Sequence, residues 1–116
     1  MKVKIYCGNN TVLADELTSR LRIDGIETVF SDKEMSVQQN LSGIDVIVLH
    51  PPYENRFGVW QSIKDFIEKH KEIQFYMLAI NASERKEFFG NRKNLFYIDQ
   101  TNQTEFFENP GRYIRK

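Results

Sequence analysis

The sequence predicts an α/β fold of three layers, in which helices cover both faces of a five-stranded parallel sheet. Two observations favour this fold class. Runs of apolar β-branched and aromatic residues alternate along the chain with segments of helical periodicity. One run, Val-Ile-Val-Leu at 46–49, has no polar alternation, which is typical of a strand buried on both faces of a parallel sheet. The chain has 116 residues, and we expect them to form one domain over 1–116.

The composition argues against several classes of protein. Acidic and basic residues number 16 each, so the zero net charge exerts no general attraction on nucleic acid or on an anionic membrane. The sequence has no apolar run long enough to span a bilayer and no signal-peptide pattern. Cys7 is the only cysteine, which excludes an internal disulfide and fits a reducing compartment. We therefore expect a cytoplasmic chain without a membrane partner.

Three strands and two helices are predicted in the first half of the chain. In order, they are a strand at 3–7, a helix at 11–24, a strand at 26–30, a short helix at 35–41 and a strand at 44–49. Asn9 and Asn10 precede the first helix, where their side-chain oxygens can accept from its free amides. Leu13, Leu17 and Leu21 recur every four residues and predict the helix face that packs on the sheet.

The second half continues the alternation of helix and strand. The predicted elements are a helix at 59–71, a strand at 74–80, a helix at Ser83–Phe89, a strand at Leu95–Ile98 and a short last helix at 101–108. Pro110, between Asn109 and Gly111, is expected to break that helix and leave a basic end at 112–116. Five strands at this spacing imply right-handed crossovers and the flavodoxin-like strand order 2-1-3-4-5.

The region around the third strand resembles a known family. Residues 45–50 read DVIVLH, and Gly58 stands eight residues after His50 and precedes the helix VWQSIKDFI. Together with the length and the order of elements, this segment resembles the receiver domain of two-component response regulators. In that family the third strand ends on a phosphate-accepting aspartate. The resemblance implies a receiver-like fold and a role in signal transduction.

The residues that carry the chemistry of receivers are replaced here. Asn9 and Asn10 stand where that family has the acidic pair that holds Mg²⁺, and His50 stands at the position of the phosphate acceptor. Neutral amides supply dipoles but no charge for a divalent ion. We therefore expect no phosphorylation by the usual aspartate route.

Two further positions depart from the receiver pattern. The Ser or Thr after the fourth strand maps to Ala79 or Ile80, with Asn81 near, and the lysine after the fifth strand maps to Asp99 or Gln100. We therefore predict a pseudo-receiver that holds no metal or cofactor and is not an enzyme. Its degenerate pocket consists of Asn9, Asn10, His50, Asn81 and Asp99.

A second resemblance concerns the loop after the first strand. The IIB subunits of sugar phosphotransferase systems carry a phosphocysteine in a similar loop, which implies that Cys7 and Thr11 bind an anion here. Amides at a helix N-terminus favour an anion and lower the pKa of a thiol. The alternative function is accordingly a phosphocarrier. The simpler interpretation is a buried cysteine at the end of a strand.

Another alternative is a small-molecule sensor. His50 and Tyr53, beside Asn81, are candidates for lining a shallow cleft at the ends of the strands. The sequence supplies no further Cys or His nearby, so a metal site is not expected.

Aromatic residues cluster around the fourth and fifth strands. The candidates for an interface are Phe88, Phe89, Tyr97, Phe106 and Phe107. In receivers this region binds partners and dimerises, and a short last helix would leave it incompletely covered. We therefore predict a module that acts by binding a protein, or a second copy of itself, through the face of strands four and five. The alternative is that the tail at 112–116 folds back over this face.

Basic residues are frequent near the C-terminus. They are Arg85, Lys86, Arg92, Lys93, Arg112, Arg115 and Lys116. Acidic residues interleave with them and no DNA-binding motif is present, so nucleic acid is not an expected partner.

Overall fold

A computed structural model shows the parallel sheet. It describes residues 1–7, 10–31, 41, 43–52 and 55–115. The strands are β1 (Lys2–Tyr6), β2 (Glu27–Ser31), β3 (Val46–Leu49), β4 (Gln74–Leu78) and β5 (Leu95–Ile98). All neighbouring strands are parallel, and their order is β2-β1-β3-β4-β5. The predicted fold class and strand order are therefore confirmed.

Helices cover both faces of this sheet. They are α1 (Thr11–Ile23), α2 (Val59–Lys69), α3 (Ser83–Phe89), α4 (Gln103–Glu108) and α5 (Pro110–Ile114). Buried residues of α1, α4 and α5 form one core with the sheet, and those of α2 and α3 form a second core on the other face. The predicted short helix at 35–41 falls outside the described residues except for Leu41, which packs against the second core. Among the described helices, none has the length and apolar character needed to cross a membrane.

The unbroken apolar run of β3 is explained by these two cores. Val46 and Val48 belong to the core on the α1 side, whereas Ile47 and Leu49 belong to the core on the α2 side. Successive side chains of a strand point to opposite faces, so a central strand with two covered faces needs an apolar residue at every position. Burying each such side chain contributes roughly 1.5–3 kcal/mol.

The first helix begins and packs as its sequence predicts. The Asn10 side chain accepts a hydrogen bond from the Leu13 amide at 3.2 Å, which satisfies one of the free donors of the first turn. Ala14, Leu17 and Leu21 are fully buried against the sheet. Leu13 lies at the margin of this face and is only partly buried.

The loop between β3 and α2 is tied to the helix that follows it. The Asn55 side chain accepts from the Trp60 amide at 2.9 Å, and the Trp60 indole donates to the Pro52 carbonyl at 2.8 Å. Phe57 and Gly58 both have positive φ just before α2. The helix ends at Lys69, two residues before the predicted end, and its buried face includes Trp60.

The C-terminus differs from the predicted break and basic end. Pro110 is the first residue of α5, where its fixed φ suits a helix and its missing N–H costs no hydrogen bond. The Asn109 side chain caps this helix by accepting from the Arg112 amide at 3.0 Å. Ile114 is buried, and Tyr113 packs edge-on against Phe106. The tail therefore folds back onto the α1 side of the sheet, where Tyr113 also packs against Tyr76 of β4. This agrees in part with the alternative interpretation of the sequence, because Phe96 of the same face stays 40% exposed.

Candidate functional site

The carboxyl ends of the strands bring several predicted residues to one edge of the sheet. Cys7 follows β1, His50 follows β3 and Asp99 follows β5. Pairing continues one residue beyond the strands, because the His50 amide donates to the Tyr6 carbonyl at 2.8 Å. We call the group formed by His50, Arg85 and Asp99 the strand-end site. Edges of this kind bind ligands in open α/β sheets.

A buried arginine is the central feature of the strand-end site. Arg85 lies on α3 and is 1% exposed. Its Nη1 donates to the Leu78 carbonyl at 2.6 Å and its Nη2 donates to the Pro51 carbonyl at 2.7 Å. Nη1 also lies 3.4 Å from Nδ1 of His50. One guanidinium therefore joins α3 to the ends of β3 and β4.

This arginine sets the electrostatics of His50. Burial lowers the pKa of His50, and the charge of Arg85 lowers it further. A neutral imidazole has one nitrogen that can accept, and Nδ1 faces the donating guanidinium. The position for which the resemblance predicts a phosphate acceptor thus holds a neutral side chain next to a fixed positive charge.

A second charged pair lies at the end of β5. The Asp99 carboxylate accepts from Lys86 Nζ and from the Thr101 amide, the latter at 2.9 Å. The contact with Lys86, together with the hydrogen bonds from Thr101, holds the pKa of Asp99 well below its usual range. The carboxylate that the sequence places in the degenerate pocket is therefore already engaged in an ion pair.

The two described asparagines of the predicted pocket, Asn10 and Asn81, make contacts with other residues. The Asn10 side chain caps α1, and the Asn81 backbone amide donates to Gln100 at 3.4 Å. Asn9 and Tyr53, also predicted for the site, lie outside the described residues. Within the described ranges, no three His, Cys, Asp or Glu side chains cluster in a way that suits a metal ion. The donor set around His50 does not fit Mg²⁺, because its central group is a guanidinium.

Cys7 is a core residue. Its side chain is 2% exposed and packs in the core on the α1 side. Burial raises the pKa of its thiol to about 12, so the thiolate that a nucleophile needs is scarce at neutral pH. Thr11, its predicted partner in anion binding, begins α1.

The predicted interface residues divide into two groups. Phe89 and Phe106 are fully buried, so a partner cannot contact them on the folded chain, and this part of the predicted interface is corrected. Both fill the space between a short helix and the sheet. Phe88, Tyr97 and Phe107 are partly buried and remain at the surface.

Sequence reasoning missed Phe96. It is 40% exposed and its ring stacks on Tyr76 with 5.1 Å between centroids. It shares a sheet face with Ile98, which is buried, because side chains of alternate residues point the same way. The short helices α4 and α5 bury Ile98 but leave Phe96 accessible.

Sequence reasoning also missed the role of Arg85, which it counted only among the basic residues near the C-terminus. A signal was present, because Arg85 stands four residues before Phe89 and so lies on the same face of a helix. Phe89 is a large apolar residue on that face, and in the structure both side chains are buried.

Comparison with known proteins supports the fold. No protein-family model matches this sequence, and no curated protein matches it. A two-component transcriptional regulator AraC from Clostridium phytofermentans is similar in structure, with a TM-score of 0.68 at 10% identity over 99% of this chain and 93% of that chain. A response regulator receiver domain protein from Clostridium thermocellum has a TM-score of 0.63 at 13% identity over 98% and 96%.

A flavodoxin mutant from Pseudomonas aeruginosa is also similar, with a TM-score of 0.57 at 13% identity over all of both chains. At these identities the likeness shows the fold alone. The chain therefore has a flavodoxin-like fold of the receiver type.

Proposed function

We propose that residues 1–116 form one receiver-like signalling domain that acts by binding a protein and that is not phosphorylated by the aspartate route. The observation that carries this proposal is the buried guanidinium of Arg85 next to His50. In the proposed mapping, this guanidinium lies next to the position of the phosphate acceptor, where a receiver has clustered carboxylates.

The charge at the strand-end site opposes a divalent ion. Two unit charges 4 Å apart interact by about 4 kcal/mol at an effective dielectric constant of about 20, so a divalent cation near the guanidinium would be repelled by roughly twice that energy. The carboxylate of Asp99 does not offset this, because Lys86 neutralises it. Without the ion, a transferring phosphoryl group lacks one main source of charge stabilisation, and the terminal nitrogens of Arg85 already donate to the carbonyls of Leu78 and Pro51.

The surface around β5 supports a role in binding. β5 is an edge strand, and Phe96 is exposed on one of its faces. Tyr97 and Phe88 lie partly exposed on the other side, and Phe107 is partly buried against the core on the α1 side. Aromatic side chains are enriched in the energetic centres of interfaces. Partner binding is assigned to this surface.

The alternative functions have weaker support. A phosphocarrier needs a thiolate, which the burial of Cys7 disfavours. A sensor needs a cleft at His50; the grooves of about 340 and 430 Å³ that described residues such as Asp24 and Asn109 form lie elsewhere, between α1 and α5.

The first test concerns phosphorylation. The chain is incubated with Mg²⁺ and acetyl phosphate beside a receiver that retains its acidic residues, and the intact masses are compared. We expect a phosphoryl adduct on the control receiver and none on this chain. We also expect no saturable change in Trp60 fluorescence with Mg²⁺, since Trp60 is bonded to the loop after β3. A stoichiometric adduct on this chain would overturn the proposal.

The second test concerns binding. Affinity purification from the source cell uses the wild-type chain, Phe96→Ser and the matched control Ile23→Ser, which alters an exposed residue of α1. We expect a protein that is retained by the wild type and by Ile23→Ser and is lost with Phe96→Ser. Equal recovery with both variants would place binding elsewhere and contradict the proposed surface.

A further inference from the structure

We propose that Arg85 and Lys86 are positioning residues that hold the surface of α3 and β5 in one fixed arrangement. The purpose of this fixed arrangement rests on the proposed function. A domain that binds a partner without being phosphorylated has no phosphate to switch its surface, so the surface is presented permanently. The geometry of the two anchors stands independently of that purpose.

The first anchor runs from α3 to the ends of β3 and β4. The two terminal nitrogens of Arg85 donate to the carbonyls of Leu78 and Pro51, at 2.6 and 2.7 Å. These are charge-assisted bonds in a buried setting, which makes them strong and sensitive to direction. Moving α3 along the sheet would break both bonds and leave two carbonyls without this donor.

The second anchor runs from α3 to the end of β5. Lys86 donates to Asp99, whose carboxylate is also held by the Thr101 amide at 2.9 Å. The Asp99 amide donates to the Asn102 side chain at 2.8 Å, so backbone and side chain of Asp99 are both fixed. The Lys86 side chain is 41% exposed, which makes this anchor the weaker of the two.

The helix depends on such contacts for its position. α3 has seven residues, and isolated helices of this length are not stable in water. Its N-cap, Ala82, has no side chain that can bond to the first turn. Phe88 and Phe89 pack against Trp60, and the Tyr97 hydroxyl donates to the Gly90 carbonyl at 2.6 Å. These contacts lie at the C-terminal end of the helix, and Arg85 and Lys86 hold the part before it.

The two anchors together restrict both sliding and rotation. Consecutive residues of an α-helix project about 100° apart, so Arg85 and Lys86 leave the helix in different directions. One reaches the central strands and the other reaches the edge strand. Arg85 makes two bonds and Lys86 makes a third, and three bonds in different directions restrict both the position and the rotation of the helix, so that Phe88 and the β5 aromatics keep one mutual arrangement.

Hydrogen exchange tests the inference on the whole chain. Exchange of the α3 amides is measured by mass spectrometry at pH 7 in the wild type, Arg85→Met, Lys86→Met and the matched control Glu87→Met, which alters an exposed residue of the same helix. Relative to the amides of α1, we expect exchange in α3 to rise at least tenfold in Arg85→Met and about threefold in Lys86→Met. We expect no change in Glu87→Met.

Two results would overturn the inference. One is unchanged exchange in α3, and the other is an equal rise in α1 and α3, which would show that Arg85 only adds to global stability. If Arg85→Met does not fold, Arg85→Lys and Lys86→Met carry the test, because lysine keeps the charge but lacks the two-pronged donor geometry. We expect Arg85→Lys to show an intermediate rise.

This experiment is separable from the test of function. A phosphoryl adduct together with loosened α3 in Arg85→Met would overturn the proposed function and keep the anchors. Absence of an adduct together with unchanged exchange would keep the proposed function and overturn the anchors.

Discussion

His50 shows how one neighbour changes the properties of a side chain. An imidazole at the surface titrates near pH 6.5, but here burial and the Arg85 guanidinium lower its pKa. The folded chain therefore prefers neutral His50, while the unfolded chain takes up a proton at the ordinary pKa. Stability from this group is present above about pH 6.5 and is lost as pH falls toward the lowered pKa of the folded state.

We predict a matching dependence of stability on pH. His70 is the only other histidine, so the measurement uses His70→Gln as the parent chain. Urea unfolding should show a free energy of unfolding that falls between pH 7 and pH 5.5, and addition of His50→Gln should remove most of this slope. Hydrogen bonds lower the pKa of Asp99 and of Glu72 from the ordinary range of carboxyl groups, so both titrate below this window. An undiminished slope after His50→Gln would contradict the assignment.

At the scale of elements, α5 shows how closely two helices meet near the C-terminus. Gly111 lies in α5, and a Cβ at this position would stand 2.4 Å from Asp24 Oδ2 and 3.0 Å from Asp24 Cβ. Asp24 is the C-cap of α1, and its carbonyl accepts from Arg115 at 3.1 Å. The glycine is thus required by the close approach of two elements rather than by its own backbone angles.

We predict that Gly111→Ala destabilises the chain. Alanine favours a helix over glycine by about 1 kcal/mol, so helix propensity alone predicts a gain in stability. The contact with Asp24 reverses the sign, and we expect a net loss of about 1–2 kcal/mol in the free energy of unfolding by urea.

The control for this prediction is Arg112→Ala, the neighbouring exposed residue of α5, which should change stability by less than about 0.5 kcal/mol. Asp24→Gly combined with Gly111→Ala should recover most of the loss. A stabilised Gly111→Ala variant would show that Asp24 moves aside at little cost.

At the scale of the whole molecule, the open edge of β5 bears on how the chain associates. The Phe75 and Ala79 amides donate to the carbonyls of Asn94 and Ile98. Alternate carbonyls of a strand point to opposite sides, so the Tyr97 carbonyl points to the open side. The Asn102 side chain accepts from the Asp99 amide at 2.8 Å and donates to the Tyr97 carbonyl at 3.0 Å. One amide side chain thus occupies the bonding positions that a further strand would use.

We predict that Asn102→Ala increases self-association. Removing the side chain exposes the Tyr97 carbonyl and the Asp99 amide to another chain, next to the aromatic Phe96. Sedimentation velocity over a range of concentrations should show a larger associated fraction than in the wild type. Thr104→Ala, an exposed change in α4, serves as the control. Equal sedimentation of all three chains would show that Asn102 does not protect this edge.

Most of the fold could be predicted because it follows from local patterns. The bounds of α3 and β5 agree with the sequence prediction, and the apolar run of β3 correctly indicated a strand with two covered faces. The helix at Pro110–Ile114 was missed because a proline breaks a helix from inside but is favourable at its first position. Only the cap at Asn109 and the packing of Ile114 distinguish the two.

The candidate site could be predicted only in part. The chain positions after β3 and β5 place His50 and Asp99 at one edge, since parallel strands end together. The partners of these residues were not predictable, because Lys86 and Asp99 are 13 residues apart and Arg85 and His50 are 35 apart. The same is true of Phe89 and Phe106, whose burial depends on which short helix covers them.

The order of apolar runs and helical stripes in this chain is enough to specify a parallel sheet covered on both faces, because the hydrophobic pattern of each segment is a property of that segment alone. Which charged groups contact one another is decided by the tertiary structure. Arg85 reads as a surface cation along the chain and becomes the buried centre of the strand-end site only when α3 packs across the ends of β3 and β4. The physical reason is that an electrostatic contact depends on distance in space, which the folded arrangement of distant segments sets.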